Sequence, residues 1–228
     1  MAAFDRACAG TVEMMMVSGY SGIGKTSLIH ELYRPIVRKR GYFISGKFDQ
    51  VARSVPFGAL IQAFRGLARQ LLTESEERLT RWRDLLSEAL GTNGGVLADV
   101  IPEIELIIGK QPPAPALGPT ETLNRFQLVF QNFVGALARE DHPLVVFLDD
   151  LQWADPATLS LLQPLLTSAS SQYLFLIGAF RDNEVDEAHP LTRTLTTLES
   201  NGVVLRHVAL GPLELPDLTH FIGDTLHE

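Results

Sequence analysis

With 228 residues, 46% of them apolar, and a formal net charge of −8, the chain has material for one large α/β domain with a substantial core, and its acidic balance argues against a nucleic-acid-binding surface, which needs clustered Lys and Arg. A single cysteine, Cys8, excludes an intrachain disulfide framework, and no apolar run reaches the roughly 20 residues that span a bilayer. These features predict a cytoplasmic chain without membrane or nucleic-acid partners.

Residues 2–9, AAFDRACA, predict a short helix ended by Gly10, with Cys8 a small, buried helix residue. The apolar run Met14 to Val17 then breaks into a glycine-rich turn that opens onto Lys25, Thr26 and a helical pattern. In TVEMMMVSGYSGIGKTSL, Gly19, Gly24, Lys25 and Thr26 fit G-x-x-x-x-G-K-[ST], the phosphate-binding P-loop or Walker A motif, with Ser21, Gly22 and Ser27 in the same cradle. Glycines let successive N–H groups turn inward around a phosphate, and the following helix adds its free N-terminal N–H groups and positive dipole end. Lys25 would reach the β- and γ-phosphates and the Thr26 hydroxyl would ligate Mg²⁺.

Leu28, Ile29, Leu32 and Ile36 continue with helical spacing, which Pro35 is expected to kink or end. His30 on this helix is read as a surface or core residue, and the basic run Arg38 to Arg40 as a helix C-terminus before Gly41. Tyr42 to Ser45 predicts a second strand. From 56 to 138 the pattern is helical. Phe57, Leu60, Ile61, Phe64, Leu67, Ala68, Leu71 and Leu72 form one stripe, and Ser75 to Leu90 a second helix with Trp82 as a core anchor. Val96 to Ile108, punctuated by Pro102, predicts two short helices or a helix and a turn, QPPAPALGP (111–119) an extended connector, and Thr120 the cap of a long helix carrying Phe126, Phe130 and Phe133.

Leu144 to Leu148 is the best buried-strand candidate and ends in Asp149–Asp150; Asp155 and Pro156 mark the N-cap and first turn of a helix over 156–167. A strand from Leu174 to Ala179 ending at Arg181, a helix through Leu191 to Leu198, a strand at Val203 to Leu210 and a helix from Glu214 to Leu226 complete the pattern. Alternating strands and helices predict a parallel sheet with helices on both faces, in the order 5-1-4-3-2, with a helical insert (56–138) between strands 2 and 3 of a single domain covering 1–228.

A buried strand delivers carboxylates at its C-terminal end beside the P-loop, where open α/β sheets bind ligands. Asp149 would then hold Mg²⁺ and Asp150 orient or deprotonate an attacking water, against the alternative that two acids simply begin a loop. Arg181 could reach the γ-phosphate from the neighbouring strand; a salt bridge to Asp182 or Glu184 is its competing role.

On VSGYSGIGKTSL, RGYFISGKFDQ, VIPEIELIIG, FLDDLQWAD and LIGAFRDNEV the sequence resembles the ATPase domain of the STAND class within the AAA-type P-loop group, as found in signalling proteins that join a Ser/Thr kinase-like domain, this ATPase, a GAF domain and a histidine kinase. The resemblance implies ATP/ADP as ligand, Mg²⁺ as cofactor, neighbouring kinase or sensor domains as partners, and a nucleotide-dependent switch with slow hydrolysis. It assigns Lys25 and Thr26 to the P-loop, Asp149 and Asp150 to Walker B, and Arg181 to the sensor arginine. The family's Gly-Arg-Glu-type upstream segment and C-terminal regulatory regions are expected to be absent. A non-hydrolysing scaffold working through the helical insert is the alternative, and a GTPase is disfavoured for want of an Asn-Lys-x-Asp segment.

Overall fold

In a computed structural model describing residues 1–51, 55–168 and 171–212, five parallel strands form one sheet: β1 (Val12–Ser18), β2 (Tyr42–Lys47), β3 (Leu144–Asp149), β4 (Leu174–Phe180) and β5 (Leu205–Ala209), in the order β2-β3-β4-β1-β5. This is the P-loop NTPase arrangement and the strand order expected from the sequence. The strands alternate their burial between two apolar layers, which explains their continuous apolar runs. On one face Val17, Val145, Phe147, Phe175 and Ile177 pack with Phe4 of α1 (Ala2–Cys8), Ile29 of α2 (Lys25–His30) and Ile36 of α3 (Tyr33–Arg38).

On the other face Met14, Met16, Ile44, Val146, Leu148 and Leu176 meet the helices that follow β2, β3 and β4. Between β2 and β3 lie α4 (Gly58–Leu71), α5 (Glu76–Leu90), α6 (Gly94–Ala98), α7 (Glu103–Ile108) and α8 (Pro119–Leu137). After β3 comes α9 (Pro156–Thr167), and after β4 comes α10 (Pro190–Ser200). Phe64 of α4 meets Phe130 and Phe133 of α8 at ring separations of 5.0 and 5.4 Å, so the aromatic stripes read from the sequence are the seam that fastens the insert together.

Among the boundaries that differ from the sequence expectation, three bear on the site and the insert. The break after the P-loop helix falls at residues 31–32, and Pro35 sits inside the first turn of α3, where its missing N–H removes no intrahelical bond. The long helix begins at Pro119 with Gly118 at its N-cap and no side-chain cap; Thr120 lies within the first turn because the fixed φ of Pro119 already starts the helix. Strand β2 runs on through Gly46 to Lys47, in register with Leu148 and Asp149. The expected helix from Glu214 to Leu226 lies outside the described residues. Among the described residues no helix is long and apolar enough to cross a membrane.

Candidate functional site

The carboxyl ends of β1, β3, β4 and β2 meet the start of α2 around a cavity of about 220 Å³ lined by Ser21, Gly22, Gly24, Lys25, Thr26, Ser27, Lys47, Asp149, Asp150 and Arg181. Sequence pattern and geometry therefore bring the P-loop, both acids and the arginine to one place.

The P-loop is shaped by two demands. Gly24 stands at the N-cap of α2 with φ of 103°, a left-handed conformation that side chains resist. At Gly19 a Cβ would come within 2.8 Å of the Leu210 carbonyl oxygen, because the chain leaving β5 closes against the loop, where the Leu210 N–H donates to the Ser18 carbonyl at 2.8 Å. Gly19 thus serves the close approach of main chain to main chain. The buried Lys25 ammonium donates to the carbonyls of Gly19 and Tyr20 at 2.7 and 2.8 Å. Carbonyl dipoles hold it in place without cancelling its charge, which suits it to meet an anion in the loop.

Opposite, β3 ends on two buried acids. The Thr26 hydroxyl donates to Asp149 Oδ2 at 3.0 Å, and the Asp150 N–H donates to Asp149 Oδ1 at 3.0 Å. A hydroxyl and a carboxylate converging from α2 and β3 form a hard-oxygen pair of the kind Mg²⁺ takes while keeping several waters, so the residues present fit that cation. Asp150 has φ of 56°. That left-handed turn directs the chain into Leu151–Trp153, a single turn of 3₁₀ helix, whose Leu151 side chain occupies the space that a Cβ at Gly178 of β4 would fill.

The Asp150 carboxylate is held from several directions. Gln152 Nε2 donates to Oδ1 at 2.9 Å, Arg181 Nε lies 3.4 Å from Oδ1, and Lys47 Nζ lies 3.3 Å from Oδ2. The Arg181 N–H in turn donates to Gln152 Oε1 at 3.2 Å, which fixes the amide between the two strands. The Arg181 guanidinium also pairs with Glu184 at 2.7 Å and lies over the Trp153 ring, 4.7 Å from its centroid. Its pKa is raised, first by the Glu184 hydrogen bond and further by the Asp150 charge. Arg181 thus lines the cavity and also makes the salt bridge to Glu184 that the sequence allowed.

Three residues that touch this site carried no role in the sequence reading. Lys47 was hidden because β2 was ended at Ser45; two more residues of strand bring it level with Asp149. Gln152 and Trp153 lie within LDDLQWAD, but their contacts cross to β4 and follow from the sheet order rather than from local pattern. His30 is exposed and makes a tilted ring contact with Phe43 at 6.2 Å, on the side of the sheet covered by α1 to α3.

A family model described as AAA ATPase domain matches residues 1–177. The chain belongs to the AAA ATPase domain family. It is 41% identical over 163 residues to hybrid signal transduction histidine kinase G of Dictyostelium discoideum, covering 72% of this chain and 5% of that protein. It is 26% identical over 176 residues to histidine protein kinase 1 of Candida albicans, covering 70% of this chain and 7% of that protein. This AAA ATPase domain thus spans less than a tenth of the curated relatives it matches. Among solved structures, Cdc6p from Pyrobaculum aerophilum aligns with a TM-score of 0.48 at 14% identity, over 94% of this chain and 43% of that one. A chain from the structure of Drosophila ORC bound to DNA aligns with a TM-score of 0.40 at 12% identity, over 96% and 94%.

Proposed function

We propose that this AAA ATPase domain binds Mg-ATP in the 220 Å³ cavity, hydrolyses it slowly, and acts as a STAND-type nucleotide-dependent switch for neighbouring kinase or sensor domains. The observation that carries the reading is the convergence of Thr26 Oγ1 on Asp149 Oδ2 beside the Lys25 ammonium. A phosphate in the loop would meet inward N–H groups, the α2 N-terminus and Lys25, while Thr26 and Asp149 are the residues that would hold Mg²⁺. That ion supplies charge neutralisation on the β- and γ-phosphate oxygens when bound.

For hydrolysis a water oxygen bonds to the γ-phosphorus as the bond to the β,γ-bridging oxygen breaks and ADP leaves. Asp150 takes the water proton, and Arg181 stabilises charge developing on the transferred group. By name, one curated relative is a hybrid signal transduction histidine kinase and the other a histidine protein kinase, which supports the regulatory half of the proposal.

One observation favours a second reading, a non-hydrolysing scaffold stabilised by nucleotide. Asp150 is engaged by Lys47, Gln152 and Arg181, so both of its carboxylate oxygens are already occupied by contacts within the chain. Phosphate release from ATP by the wild-type chain and by Asp150→Asn separates the two. The switch reading expects slow release that drops about 100-fold in the variant, within the usual range for removing a general base; equal release from both supports the scaffold.

A further inference from the structure

Among the described residues, Lys47 is the one lysine placed on this cavity from the side of the helical insert. Its backbone is rigidly set. It is the last residue of β2, level with Asp149, and the next N–H, of buried Phe48, donates to the Asp149 carbonyl at 3.0 Å. The residue before it, Gly46, lies so close to α4 that a Cβ there would run into the Ala59 backbone. Lys47 is thus wedged between β3 and the first helix of the insert. Its side chain is in a contrasting condition: 68% exposed, against 7% for its Asp150 partner.

An ion pair with so exposed a lysine contributes little to stability, and the ammonium is a compact charge on a flexible four-carbon stem. Asp150 also keeps Arg181 and Gln152 when that ammonium moves away. Among the described residues the cavity wall carries three cations, Lys25, Lys47 and Arg181, against two carboxylates. Lys47 is the most loosely held of the two that contact Asp150, since the Arg181 side chain is only 24% exposed and is also bound by Glu184.

We infer that Lys47 is a γ-phosphate-reading residue: with ATP in the P-loop its ammonium exchanges Asp150 for the γ-phosphate, and with ADP it stays on Asp150. The inference rests on the Mg-ATP reading above and adds to it a way of telling the two nucleotides apart. The exchange frees one side of the Asp150 carboxylate, the oxygen that Lys47 contacts, as the γ-phosphate arrives. It also links the ligand to the insert, because Lys47 lies where β2 leads through residues 48–57 to α4. Just before α4, the Phe57 N–H donates to Asp155 Oδ2 at 3.2 Å.

Calorimetric titration of the full chain with Mg-ATP and Mg-ADP tests the assignment, in wild type, Lys47→Ala, Lys47→Arg, Asp150→Asn and the Lys47→Ala/Asp150→Asn double variant. Loss of one charge-assisted contact should weaken ATP about tenfold and leave ADP within about twofold. Arginine should restore most of the ATP preference. The loss must persist when Asp150 is already Asn, since the lost partner is the phosphate. Equal weakening of both nucleotides, or disappearance of the Lys47→Ala effect in the Asp150→Asn background, would show that Lys47 serves only its carboxylate and would overturn the inference while leaving nucleotide binding intact. A wild-type chain that binds neither nucleotide would overturn the Mg-ATP reading itself.

Discussion

Two clusters of polar side chains lie at opposite ends of the sheet, and they are built differently. At the amino end, Tyr42 donates to Glu74 at 2.6 Å, Trp82 Nε1 donates to the other Glu74 oxygen at 3.2 Å, and His142 packs its ring 4.5 Å from that of Trp82. The space that Trp82 and His142 line is about 30 Å³. At the carboxyl end, Lys25, Lys47, Asp149, Asp150 and Arg181 surround about 220 Å³. In the first cluster polar groups satisfy one another against aromatic surface, which fastens α5 to β2. In the second, cations and acids are arranged around room for something else. Burial of polar groups alone does not mark a site; burial around a space with charge left facing it does.

Variants at the two ends should therefore fail in different ways. Trp82→Ala should cost about 3–5 kcal/mol of stability, read by chemical denaturation, while the folded fraction keeps wild-type nucleotide affinity. Lys25→Ala should do the reverse, lowering nucleotide affinity by about 100-fold or more through loss of charge-assisted contacts with a near-wild-type denaturation midpoint. Asp149→Asn should remove most of the Mg²⁺ dependence of ATP binding, an effect of about tenfold in the ratio measured with and without the ion.

The smallest effect concerns pH. Burial holds His142 below its ordinary 6.5, with the Asp141 charge opposing, and its Nδ1 lies 2.9 Å from the Leu137 carbonyl. The unfolded chain then binds the proton first as pH falls. The stability associated with neutral His142 is complete above about 6.5 and is lost as pH drops from there toward the lowered folded value, at no more than about 1.4 kcal/mol per pH unit. His142→Phe should flatten that part of the stability profile and leave nucleotide binding unchanged; an unchanged slope would move the titration elsewhere.

The sheet and most of the site were legible because their signals are local. An apolar run ending in two acids, a glycine-rich turn before Lys25, and aromatic stripes at helical spacing each state their structure within a dozen residues. Asp155 as an N-cap was legible for the same reason, and its Oδ1 accepts from the Thr158 N–H at 2.8 Å. The position of Lys47 was not. It depends on how far β2 runs, and the strand continues through Gly46, whose missing side chain admits α4. The Gln152 bridge and the Trp153 ring beneath Arg181 depend on β4 lying beside β3, a property of the sheet order rather than of any neighbouring residue.

The central claim is that the space at the carboxyl end belongs to a Mg-nucleotide. Calorimetry with ATP, ADP and GTP, each with and without Mg²⁺, measures it most directly. Saturable, Mg²⁺-dependent ATP binding with GTP weaker is expected; no binding of any of the three, or tight ATP binding that survives Lys25→Ala, would contradict a Mg-nucleotide site.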